Sequence, residues 1–365
     1  MRSRLLSCLL ALVLTVLSSL MLIHHTPALP SALETPKPRE LLRIWLLDAP
    51  GGATVWLKKQ LQAFERQRPG VMTYLRSVSA TELTRPDTVL PDLVLYMPGT
   101  IAAPEDLFAP LSGTAHIREP LLRSGRWKGE QYALPLCYGG YVLCIDSAYE
   151  AQVATTPAPT ALLGRNAAFP TASAAPEPYP LQAVLQSDTP LLASGAGLFT
   201  LACLLEPETR PPLAGSTITQ DDLYTRFRSR KAASALLTTG QYTALSSLTA
   251  SGKGFPFRAM VPGEVVTDQV LAGSVLRASH ASGAADLLAF LTGEEAQKAL
   301  TSQNLHTVRT GLRLYFSGVE GEVESAAARS LTAINAFIPA QEVASAAWQC
   351  YTGQTGLNEA LLPLL

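Results

Sequence analysis

The segment LLRIWLLDAPGGATVWLKKQLQAFERQRPG, from Leu41 to Gly70, restricts the fold more than any other stretch of the chain. Its first part, Leu42 to Leu47, is apolar but for Arg43, as a strand covered on both faces would be. Asp48 to Gly52 supplies a turn. Trp56, Leu57, Leu61 and Phe64 then recur at helical spacing among lysines, glutamines and a glutamate, until Pro69 and Gly70 stop the helix. PDLVLYMPGTIAAPEDLFAPL repeats the pattern with a strand from Leu93 to Tyr96, a Pro-Gly loop and a short helix. Strands alternating with helices predict an α/β fold with a mainly parallel sheet.

Further along, ALPLCYGGYVLCID (133–146) places two glycines between two tyrosines, directly before another apolar strand. From Ala151 to Pro180 the chain is rich in Ala and Pro with little periodicity, which predicts an irregular segment. DDLYTRFRSRKAASALLTTGQYTALSSL reads as a helix, an apolar strand and a loop around Gly240, and FPFRAMVPG as a further strand. GAADLLAFLTGEEAQKALTSQ is one long helix or two short ones meeting at Gly293. The tail from Glu322 is helical in pattern, with Leu331, Ile334 and Phe337 on one apolar stripe.

The chain opens MRSRLLSCLLALVLTVLSSLMLI, a basic end followed by an uninterrupted apolar run, so residues 1–33 read as an export signal or an uncleaved membrane anchor. Four cysteines follow the leader: Cys137, Cys144, Cys203 and Cys350. An even count permits disulfides in an oxidising compartment, but the spacing fits no zinc or redox motif and favours buried free thiols. With 365 residues, 47% of them hydrophobic, the chain can build two globular units. A net charge of -1 with no basic patch argues against nucleic acid.

No catalytic pattern is complete, and none calls for a metal or cofactor. SGAGLF near Gly195 lacks the third glycine of a dinucleotide loop, ASGKGF around Lys253 lacks the leading glycine of a phosphate loop, and the histidines are scattered. There is no G-x-S-x-G turn, and Asp48 and Asp92 read as cap or turn residues rather than a glycosidase pair. The chain is therefore read as a non-enzyme. What it offers is aromatic and glycine positions at strand ends: Asp48 to Gly52, Tyr96 to Gly99, and Gly240 to Tyr242. Ligands of open α/β sheets bind outside such ends, and aromatic faces beside small polar groups suit a sugar.

The order of these segments, with GRWKGEQYALPLCYGGYVLCID and FPFRAMVPGEVVTDQVLAGSVLRASHASGAADLLAFLTGEEAQKALTSQNLHTVRTGL, resembles the extracellular solute-binding proteins that serve ABC-type sugar importers, over most of residues 42–312. The resemblance implies a type II periplasmic-binding-protein fold: two α/β lobes joined by crossover strands, with a ligand cleft between them. It implies lobe I from 42–137 and 262–310, and lobe II from 138–261 and 311–365, the latter ending in C-terminal helices and reduced by the Ala/Pro-rich stretch. It also implies an exported monomer that captures a small ligand, a carbohydrate by analogy, and meets the membrane subunits of a permease. Gly139 and Gly140 would be the hinge. Asp48, Tyr96, Gly99, Tyr138 and Tyr242 would be ligand contacts, with Asp48 and the three rings lining one shared cleft. The alternative is a degenerate scaffold that senses or docks without transport.

Overall fold

The computed structural model describes residues 40–85, 89–112, 116–155, 191–205, 210–211, 213, 219–279 and 281–365. The leader and nearly all of the Ala/Pro-rich stretch lie outside the described residues. No helix among those described is long and apolar enough to cross a membrane.

The strands, in chain order, are β1 (Glu40–Leu46), β2 (Val71–Ser77), β3 (Leu93–Tyr96), β4 (Arg126–Trp127), β5 (Glu130–Gln131), β6 (Leu134–Tyr138) and β7 (Tyr141–Asp146), then β8 (Leu191–Leu192), β9 (Ser234–Thr238), β10 (Phe257–Met260), β11 (Val265–Thr267), β12 (Val270–Val275) and β13 (Leu331–Ala333). They form two principal sheets, of order β2-β1-β3-β12-β6 and β10-β7-β9-β8. The predicted parallel arrangement holds only in part. β1 is parallel to β2 and β3, and β8 to β9, whereas β12 runs antiparallel to β3 and β6, and β7 antiparallel to β9 and β10. The cause is where the chain crosses between sheets. β12 begins at Val270, opposite Tyr138 where β6 ends. It therefore enters the first sheet through the edge by which β1, β3 and β6 leave it. Likewise β7 begins at Tyr141, opposite Thr238 where β9 ends. The leaving ends of both sheets thus converge on one gap.

The first helix, Ala53–Gln67, buries Trp56, Leu57, Leu61 and Phe64, the residues its spacing singles out. Each such side chain contributes roughly 1.5–3 kcal/mol by leaving water. The indole N–H of Trp56 donates to the carbonyl of Ala296 at 2.9 Å, fixing a distant segment against this helix. There the chain forms two helices, Gly283–Leu291 and Glu294–Lys298, broken at Gly293. Gln297, fully buried, donates to the carbonyls of Leu136 and Leu291 and accepts from Thr307 and from the Val308 amide. All its hydrogen-bonding capacity is used, which is what lets an amide sit in a core.

The C-terminal stripe does not form. A helix Gly318–Arg329 ends at Ser330, and β13 then pairs in parallel with β11, so Leu331 starts a strand. Ile334 joins the core of the second lobe, while Phe337 packs beside Tyr96 in that of the first. The backbone of β11 needs a partner, and supplying one outweighs the local periodicity. Helix Ala340–Tyr351 then returns to pack on helix Gly197–Leu204. All four cysteines beyond the leader are free, and burial pushes the Cys137 and Cys203 thiols up to about 12.

Candidate functional site

A cavity of about 610 Å³ lies where the strand ends converge. The first lobe contributes the turn from Asp48 to Gly51, at the end of β1, and Met97 and Pro98, at the end of β3. Facing them are Ser194 and Gly195 after β8, the start of helix Gln220–Arg228, and the start of helix Thr239–Ala250 after β9. Tyr141, Asp268 and Gln269, where the chain crosses between the sheets, close the floor.

Hydrogen bonds fix the second-lobe wall before any ligand arrives. Thr238 and Gln241 form a reciprocal capping box on helix Thr239–Ala250. Gln220 donates to the Gln241 side chain at 2.8 Å and to the Leu236 carbonyl at 3.1 Å, and accepts from the Ser194 hydroxyl at 2.6 Å. On the floor, the Tyr141 hydroxyl donates to Asp268 at 2.6 Å, while the Gln269 amide donates to Asp268 at 2.9 Å and to the Tyr141 oxygen at 3.1 Å. Burial raises the Asp268 carboxyl above the usual range, against the pull of these two hydrogen bonds. Asp48 is raised too, first by burial and then by the charges of Asp221 and Asp268; the Ala49 amide, which donates to it at 2.8 Å, opposes the shift.

The lobes touch at the rim. A Cβ built on Gly51 would fall 2.9 Å from the Gly240 Cα, and one on Gly240 would fall 2.8 Å from the Gly51 Cα. Only two glycines let the backbones approach this closely.

Of the side chains predicted to share a cleft, the structure brings only Asp48 to it. Tyr96 is fully buried in the first lobe, hydrogen-bonded to the Ser274 hydroxyl at 2.7 Å and stacked on Phe108. Alternation along β3 turns it into the core, and the next residues, Met97 and Pro98, reach the cavity instead. Gly99 lies off the lining as well. Its φ of 88° and the close approach of Ala340 account for the glycine there. Tyr138 is likewise buried, accepting from Arg118 at 2.9 Å and donating to Glu324 at 3.0 Å on the far side of the crossover. Tyr242 packs edge-on against Phe257. The predicted loop around Gly240 is the first turn of a helix, and at about 100° per residue Tyr242 points away from the face shared by Gly240, Gln241 and Ala244.

Gly139 and Gly140 do join β6 to β7. Neither has a positive φ, so space rather than backbone freedom requires them. A Cβ on Gly139 would fall 2.7 Å from the Thr239 hydroxyl, and one on Gly140 3.3 Å from Val323. The second crossover runs alongside, since the Gly139 amide donates to the Gln269 carbonyl at 2.7 Å and the Thr267 hydroxyl to the Gly139 carbonyl at 2.9 Å.

Among the cavity residues missed in the sequence are Tyr141, Tyr224, Asp221, Asp268 and Gln269, together with Ser194 and Gln220 of the second-lobe wall. One signal was available for Asp268 and Gln269: they follow Thr267 as a polar run inside the otherwise apolar VVTDQVLAG.

No protein-family model matches the chain, and no curated protein matches it in sequence. Solved structures do match in fold. The GacH receptor of Streptomyces glaucescens, determined unliganded and with acarbose, aligns with a TM-score of 0.55 at 12% identity, over 89% of this chain and 96% of that one. The substrate-binding protein Lmo0181 of Listeria monocytogenes, in complex with cycloalternan, gives 0.54 at 12% identity, over 89% and 97%. The cyclic alpha-maltosyl-1,6-maltose binding protein of Arthrobacter globiformis gives 0.55 at 14% identity, over 88% and 96%. The chain has their two-lobed α/β fold, so the resemblance noted in the sequence holds at the level of architecture.

Proposed function

We propose that this protein is an extracytoplasmic solute-binding protein that closes its two lobes on an oligosaccharide and delivers it to an ABC-type permease, without chemical change to the ligand. The observation that carries this reading is the cavity itself, walled by both lobes and floored by the crossover strands. Its volume falls within the ~300–1,000 Å³ typical of small-molecule sites. The ligands named for the matching structures are saccharides, which supports the choice of class. The division into 42–137 with 262–310 and 138–261 with 311–365 belongs to this reading, with Gly139, Gly140 and Thr267 to Gln269 as the crossover about which the lobes rotate. Asp48 supplies acceptors for ligand hydroxyls, and Tyr141 and Tyr224 supply the aromatic surface assigned from sequence to other tyrosines. An open cavity with a hydrogen-bonded wall favours binding over a scaffold that has lost its ligand.

Calorimetric titration with a panel of neutral and amino oligosaccharides tests the reading. A ligand at a hundred times its Kd raises unfolding free energy by about 2.7 kcal/mol, so a bound saccharide also raises the melting temperature. Neither heat nor a melting shift with any saccharide at millimolar concentration would sink it. Delivery is tested separately, by crosslinking the loaded protein to permease subunits in membranes of the source cell.

A further inference from the structure

Among the described residues, every charged side chain that lines the cavity is acidic. Asp48 comes from the turn after β1, Asp221 from the start of helix Gln220–Arg228, and Asp268 from the connection between β11 and β12; no described lysine, arginine or histidine joins them. A second observation does not depend on charge. Gln269 lines the cavity at 9% exposure, and its amide hydrogens go to Tyr141 and Asp268. No donor among the described residues reaches its Oε1. The Tyr141 hydrogen is likewise spent on Asp268. The floor therefore offers acceptors and withholds donors.

A neutral sugar hydroxyl both donates and accepts, and would use only half of what such a floor provides. An ammonium donates three hydrogens, accepts none and brings the missing positive charge. A metal ion fits less well, since among the described residues no group of three or more His, Cys, Asp or Glu could hold one.

We propose that the cavity selects a saccharide bearing a protonated amino group over its neutral counterparts. This rests on the saccharide reading given above and narrows it. The charge of Asp48 is already opposed by those of Asp221 and Asp268, and a bound cation relieves that opposition.

The test is calorimetry on the full chain with short glucosamine oligomers, their N-acetylated forms, glucose oligomers of equal length, and spermidine as a cation that is not a sugar. Glucosamine oligomers should bind at least tenfold more tightly than either neutral series, and lose that margin at high salt. Asp221→Asn and Asp48→Asn, each with an unchanged melting temperature, should reduce glucosamine binding severalfold more than they reduce neutral binding. Equal or tighter binding of a neutral series would overturn the preference for an amine while the saccharide reading stood. Binding of spermidine alone would overturn the saccharide reading, and this proposal with it. No binding by any probe would overturn both.

Discussion

Two tyrosines flank the glycine pair at the crossover, and their surroundings differ in a way that separates stability from binding. Tyr138 lies on the outer side, in a network of charged hydrogen bonds. It accepts from Arg118 and donates to Glu324, which also takes the Arg118 guanidinium at 2.5 Å and the His306 ring at 2.9 Å. Because a carboxylate only accepts, the hydrogen of that ring sits on Nδ1. Here the acid has its cation: Arg118 and Glu324 are 19% and 16% exposed, and the network ties the first lobe to helix Gly318–Arg329. Tyr141 lies on the inner side, bound to an acid that pairs with no cation among the described residues. The outer acid is paired with a cation within the protein; the inner one leaves its charge for something outside it.

Glu324→Gln is the hardest blow to the outer network, since it leaves the Arg118 guanidinium without its counter-charge. A loss of about 3 kcal/mol is expected by urea unfolding, with ligand affinity little changed. The sign of its pH dependence can be worked out. Burial alone would raise the Glu324 carboxyl, but hydrogen bonds from His306 and Arg118, together with the Arg118 charge, carry it below the usual range. The native state therefore holds fewer protons on this group than the unfolded state. Its contribution is complete above an unfolded pKa of ~4.3 and is lost as pH falls through the folded value. The variant should accordingly show a shallower loss of stability in acid.

Tyr138→Phe and Tyr141→Phe test the contrast directly. Removing the outer hydroxyl should cost about 1–3 kcal/mol of stability and spare binding, because Glu324 loses a buried donor. Removing the inner one should show mainly in titration calorimetry, as weaker ligand affinity. If both substitutions act alike in both measurements, the division between the two sides does not exist.

Gly240→Ala acts on the rim between these regions. Its methyl would meet the Gly51 backbone at 2.8 Å, so the lobes cannot close as far. Affinity should fall about tenfold, or ~1.4 kcal/mol, with unfolding free energy nearly unchanged. Small-angle scattering of the loaded protein should report a larger radius of gyration.

The smallest effect has the opposite sign. The Asp268 carboxyl is raised, so the native state holds its proton more tightly, and its contribution to stability is lost as pH rises from ~3.9 through the folded value. Asp268→Asn keeps an oxygen for Tyr141 and Gln269 but removes the uncompensated charge. Stability at pH 7 should rise by about 0.5–1 kcal/mol, while the pH dependence flattens and binding weakens. A destabilised variant would show that Asp268 serves the fold rather than the ligand.

What the sequence determined by itself is periodicity and order. Leu93 to Tyr96 is read as a strand and is one, and the buried face of helix Ala53–Gln67 is the face its spacing marks, because burial on a strand or helix follows a fixed repeat along the chain. The turn at Asp48 was legible for the same reason: a strand that stops at a polar residue before Pro-Gly-Gly must leave its sheet there. Tertiary structure alone decided which neighbour of each marked position meets the cavity. Met97 rather than Tyr96 and Gln241 rather than Tyr242 line it, each choice fixed by a rotation of roughly 100–180° about its own element, and Tyr141 rather than Tyr138 lines it because the two belong to different strands on either side of the glycine pair. The direction of β12 and the fate of Leu331, Ile334 and Phe337 were also beyond local reading. They depend on partners from distant parts of the chain, Tyr138 for Val270 and Val265 for Leu331, and pairing between distant strands leaves no periodic mark in either sequence.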